Sequence, residues 1–125
     1  MNRSVAIEEV ETGNHTTPGI SASLTRELLQ AWCETELSWL IYEPHPAPPL
    51  WEMVARHVRG HLCALWALGM LQGQSLTEAF AVRCDQTTMT SADILNRQVV
   101  CLVGVASVTP REFTWWRIRI HLTPQ

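Results

Sequence analysis

The chain contains no lysine, and all nine of its basic residues are arginine. It therefore lacks a diffuse ammonium coat, and its positive charge sits on planar guanidinium groups suited to ordered ion pairs and interfaces. Twelve acidic residues leave a net charge of −3, which argues against nucleic acid as the main partner. No stretch approaches the ~18 apolar residues of a membrane span, and the longest apolar region, 62–71, sits inside an amphipathic pattern. The opening MNRSVAIEEVETGNH has no apolar run of the signal-peptide kind. Glycine-rich phosphate loops are missing as well. Cys33, Cys63, Cys84 and Cys101 lie far apart, and without a secretory signal they are expected to be reduced core thiols.

What the chain does have is aliphatic residues in periodic runs and six tryptophans in 125 residues, a length that bounds it to one domain with a flexible arm. Residues 4–10 predict a short strand. The turn formers of ETGNHTTPG follow it, so this strand must pair with a distant strand or with another chain. A helix is expected over about 24–36, capped by Ser21 or Ser23, with Leu24, Leu28, Trp32, Leu29 and Cys33 as its apolar stripe. LSWLIYE (37–43) reads as a buried strand, and PHPAPP as a loop. A second, longer helix is expected from Pro49 to about Leu71, weakened at its end by Gly69 and Gly73, with Trp51 and Trp66 as core anchors. SLTEA predicts one further turn, with Ser75 and Glu78 as a capping box. Then come a strand at 80–84, a short helix capped by Thr90 or Ser91, a long strand stopped by Pro110, and a last strand antiparallel to it.

Several groups invite a chemical reading. His57 and His61 share a helix face and could hold a metal, but the pair lacks further ligands and fits a half-exposed helix face better. Cys84 beside Asp85 could be a nucleophile only with a base and an electropositive setting, and it instead ends an apolar strand. Asp85 and Thr87–Thr90 suit turn and cap chemistry, and Asp93 suits the first turn of a helix. Gly104, inside a strand, marks a bulge or a close backbone approach. In the last strand Trp116, Ile118 and Ile120 are expected to face the core. Trp115, Arg117 and Arg119 then face outward, on what reads as a sheet edge. Such an edge is either a strand end protected by charge or a site of strand addition, and the spacing alone does not separate the two.

The stretch FAVRCDQTTMTSADI followed by VGVASVTPREF closely resembles the C-terminal domain of contractile tail sheath proteins. Phe80, Val82, Cys84, Asp85, Thr88, Met89, Thr90, Asp93 and Ile94 match in order. Val103, Gly104, Val105, Ala106, Val108, Pro110, Glu112 and Phe113 follow. Upstream, Glu43, Pro44, Leu50, Trp51, Leu65, Trp66 and Gly73 are similar to the segment and helix that precede this motif, and VAIEEVETGNHTTPGISAS is similar to the family's opening arm. The departures are Asn96–Arg97 in place of a glycine-containing turn, Ser107 in place of proline, Arg111, and the Trp115–Trp116 pair.

The resemblance implies an α/β (α+β) fold: a small mixed sheet flanked by two main helices, with extended N- and C-terminal strand arms. It implies an arm at 1–22 and a sheath C-terminal-like domain at 23–125, the two ends of a sheath subunit without its large middle. It further implies a structural, non-enzymatic subunit of a phage tail or contractile injection system, assembled in the cytoplasm with no cofactor. Neighbouring subunits, in six-fold rings, would be joined by strand exchange through Val5, Ile7, Glu8, Glu9, Phe113, Trp115, Arg117 and Arg119. Inner-tube or baseplate proteins would be further partners. The alternatives are a baseplate or cap adaptor and, in another class, a small metal-binding protein or enzyme using the Cys and His residues.

Overall fold

The computed structural model describes residues 5–10, 20–37 and 48–122. The elements run β1 (Val5–Glu9), α1 (Ile20–Glu36), α2 (Pro48–Ala67), α3 (Leu76–Ala79), β2 (Phe80–Arg83), α4 (Ser91–Leu95), β3 (Gln98–Val105) and β4 (Thr114–His121). The strand expected at 37–43, the loop after it and the matching Glu43 and Pro44 lie almost wholly outside the described residues.

The strands form a four-stranded sheet in the order β1-β4-β3-β2. Each neighbouring pair is antiparallel, so the α+β class holds while the sheet is antiparallel rather than mixed. The last strand is also not an edge. β1 occupies the place beside it, with Val5 opposite Ile120 and Glu9 opposite Trp116. A strand with no sequence-local partner has found one at the far end of the chain.

Period-2 alternation assigns the two faces of the sheet. One face carries Val5, Ile7, Trp116, Ile118, Ile120, Val99, Cys101, Val103, Val105, Phe80 and Cys84, all buried in a single core with the apolar stripes of α1 and α2. The outward-inward split expected for β4 is thus correct on the core side. α2 buries Leu50, Trp51, Val54, Ala55, Val58, Leu62 and Leu65 at helical spacing. It ends earlier than Leu71 because Gly69 turns left-handed (φ 82°). The Gly69 amide then bonds to the Trp66 carbonyl and the Met70 amide to the Leu65 carbonyl, which satisfies the last open carbonyls of the helix.

α1 departs from expectation in two ways. It starts at Ile20, so Ser21 and Ser23 lie inside the helix instead of capping it. Its buried stripe is Thr25, Leu29, Cys33 and Leu37, and Leu24 and Leu28 are exposed. Trp51 is buried as expected, whereas Trp66 is only partly buried and donates its indole N–H to the Gly73 carbonyl at 2.9 Å. Ser75 makes no side-chain cap for α3, and its hydroxyl pairs with that of Thr77 instead. Cys33, Cys84 and Cys101 are buried free thiols, while Cys63 is only partly buried.

Candidate assembly surface

Below α4 the local chemistry follows the sequence closely. The Thr90 hydroxyl accepts from the Asp93 amide at 3.1 Å and the Asp93 carboxylate accepts from the Thr90 amide at 2.9 Å, a reciprocal cap. The Asp85 carboxylate accepts from the Thr87 amide at 2.8 Å, and the Thr88 hydroxyl reaches the Val100 carbonyl at 2.7 Å. The Thr87 hydroxyl and amide hold the Asp85 carboxyl below its ordinary range. The Thr90 amide, helped by Arg119, does the same for Asp93. These two acids are occupied by the turns they stabilise.

The second helix pair shows the same economy. The His57 ring nitrogen Nδ1 lies 2.9 Å from the Met53 carbonyl. His61 stacks face to face on Trp32, with ring centroids 4.5 Å apart, and burial lowers its pKa. Among the described residues no three His, Cys, Asp or Glu side chains converge on a metal-sized site. Cys84 stands across the sheet from Cys101, one step beyond the β2–β3 register. Its thiol bond and burial raise the Cys101 pKa, a setting opposite to that of a nucleophile.

The surface residues singled out for assembly fall into four groups. Val5 and Ile7 are buried in the core. Glu8 and Arg119 form an ion pair at 2.9 Å, and Arg119 also contacts Asp93 at 2.9 Å and the side-chain oxygen of Gln98. That guanidinium joins β1, β3, β4 and α4 at one point. Phe113 and Trp115 pack edge to face at 5.6 Å, and the Trp115 ring covers Gly104 on β3. Glu9 and Arg117 point into solvent.

One feature was not legible beforehand: the outer edge of β1 is closed by side chains of α1. The Gln30 side-chain oxygen accepts from the Ile7 amide at 3.1 Å, and its nitrogen donates to the Val5 carbonyl at 3.0 Å. Arg26 donates to the Ile7 carbonyl at 2.9 Å. The Gln30 amide thereby offers β1 the donor and acceptor that another strand would, and the edge is shielded from further pairing. A polar residue at helical spacing carries no sequence signal for such a role, because its partner strand lies 23 to 25 residues away.

No family model matches the chain, and no curated protein matches it either. Among solved structures the chain is similar to a chain of the PVC sheath complex of an extracellular contractile injection system, seen by cryo-EM in its contracted state. The two are 30% identical with a TM-score of 0.61, over 74% of this chain and 26% of that one. This chain thus spans about a quarter of the length of that neighbour. The likeness bears out the sequence resemblance: the chain is sheath-like.

Proposed function

We propose that the chain is a small structural subunit of a contractile particle and that it is joined to its neighbours by exchange of β1. The observation that carries this reading is the seat of β1 beside β4. It is made of main-chain bonds, the buried Val5 and Ile7, and the Glu8–Arg119 pair, none of which requires that both strands belong to one molecule. The stretch 10–19, if extended, reaches about 35 Å at ~3.3–3.6 Å per residue, enough to seat β1 in an adjacent copy. Because the contacts are the same within and between copies, exchange changes little energy and is governed by local concentration. On this reading 1–22 acts as the arm and 23–125 as the domain that receives it. The likeness to an injection-system sheath supports placing the chain in such a particle, and on this reading its neighbours are sheath subunits arranged in rings.

The test compares the full chain with a variant lacking residues 1–10, by sedimentation over a range of concentrations. The full chain should form oligomers. The truncated chain should associate more weakly, with an open seat that takes up a synthetic peptide of residues 1–10. Equal oligomers from both chains, or a full chain that is monomeric at every concentration, would remove the exchange reading.

A further inference from the structure

The sheet face opposite the core is only half covered. α4 and the turn before it lie over the row of Val100 and Arg119, and Val100 is fully buried there. The next row across the sheet is Glu8, Arg117, Leu102 and Arg83, in register on β1, β4, β3 and β2. Both arginines are exposed and Leu102 is half-buried. Beside this row the Trp115 ring lies flat on Gly104. Arg117 forms no ion pair among the described residues, and Arg83 is held only by a 3.9 Å contact to Asp85. Glu8 is taken up by Arg119, so β4 to β2 offer a shallow platform with Arg117 and Arg83 on either side of an apolar middle.

The outer face of α1 has the inverse pattern. Leu24, Glu27, Leu28, Ala31 and Glu34 are exposed and fall on one side of the helix, opposite the buried Leu29 and Cys33. Leu24 is 49% exposed and Leu28 39%, an apolar ridge that nothing in the described chain covers. Glu27 and Glu34 flank its middle about 10 Å apart, at ~1.5 Å per residue. Arg83 and Arg117 are two strands apart, also about 10 Å at ~4.8 Å per strand.

We propose that these two surfaces dock on each other between copies of this chain. The outer face of α1 lies across the bare row of the next copy's sheet, with Glu27 and Glu34 over Arg83 and Arg117 and with Leu28 and Ala31 on Leu102 and Trp115. The occupant is a second copy because both halves of the match, in charge, spacing and apolar centre, are present on this one chain. The two surfaces differ and lie on opposite sides of the molecule, so the contact is head to tail. It propagates into a ring or filament and does not close as a two-fold dimer. It shares Arg117 with the seat of β1, where that residue stands opposite Glu8.

Charge reversal tests it. Three variants of the full chain are compared by sedimentation at low and moderate salt, with circular dichroism as the control for folding: R83E/R117E, E27R/E34R, and all four changes together. Each two-site variant should associate more weakly by on the order of 100-fold, since like charges then face each other. The four-site variant should recover association, and so should a mixture of the two two-site variants, since each then offers the other complementary faces on both sides. Unchanged association in either folded two-site variant overturns the proposal, and so does failure of the folded four-site variant to recover. Because Arg117 faces Glu8 and Glu34 accepts from the Gln30 side chain, the three variants are measured again in the chain lacking residues 1–10, where exchange is absent and the same losses and recovery are expected.

Discussion

Trp115 lies across the backbone of Gly104, its direct partner in the β3–β4 register. A β carbon on Gly104 would stand 2.9 Å from Cζ3 of that ring, closer than real carbon contacts allow. Gly104→Ala should therefore cost about 1–3 kcal/mol through overpacking. In a Trp115→Ala background the same change should cost far less, because the obstructing ring is gone. A double-mutant cycle by urea unfolding measures the coupling, and strictly additive effects would show that the ring does not hold this position in solution.

Arg111 adopts φ 67°, a left-handed conformation that an arginine side chain tolerates poorly. Its head is exposed, and its ion pair to Glu78 is long at 3.7 Å. Arg111→Gly should raise stability by roughly 0.5–1 kcal/mol, the relief of backbone strain exceeding the entropy glycine adds to the unfolded chain. The check is a higher denaturant midpoint at unchanged slope. A lower midpoint would mean that the Glu78 contact contributes more than its length suggests.

Two groups give stability a pH dependence in different windows. Burial against Trp32 lowers the His61 pKa, so the unfolded chain takes up this proton first. Stability should decline as pH falls below the ordinary histidine value of about 6.5. His61→Phe keeps an aromatic ring on Trp32 and should flatten that decline. Asp93 has the opposite shift origin: the Thr90 amide and Arg119 depress its pKa. Its contribution is present above the ordinary aspartate value of about 3.9 and is lost as pH falls through the lower folded value. Asp93→Asn should remove that acid-side loss only. Melting curves from pH 3 to 8 on the three chains separate the two windows, and an unaltered slope near pH 6 in His61→Phe would refute the assignment of the first.

The thiols should label in two classes. Cys33 is fully buried and its pKa is pushed up to about 12 by burial, with a smaller effect of Glu34. Cys84 and Cys101 are buried beside each other. These three should react slowly with a thiol reagent at pH 8 until denaturant is added, while the partly buried Cys63 reacts first. Rapid modification of Cys84 in the folded chain would contradict the packed β2–β3 pairing.

What could be seen in the sequence was what depends on near neighbours. The Thr90–Asp93 cap spans three residues, and the helix stop at Gly69 is carried by one glycine, so each left a local trace. The phase of α1 did not. Leu24, Leu28 and Trp32 form one apolar ridge at spacing four, and Leu29, Cys33 and Leu37 form another beside it. Only the position of the sheet decides which is buried. The inner place of β4 was equally hidden, because its second neighbour, β1, lies at the other end of the chain. Residues around the sheet divide by the same rule: Ile118 and Ile120 could be assigned to the core by alternation, whereas Gln30 acquires its role only once β1 is in place.

The central position of β4 has a consequence for the timing of synthesis. Arg119 follows Glu8 by 111 residues, roughly 5–20 s of translation at ~5–20 residues per second. Throughout that interval β1 has emerged but the strand it rests on has not been made. If β1 exchanges as proposed, a nascent chain can offer its first strand to a finished copy nearby before its own seat exists. On a message carrying several ribosomes, neighbours at different stages would be supplied in that order, so pairing between molecules would be favoured during production over pairing formed after release.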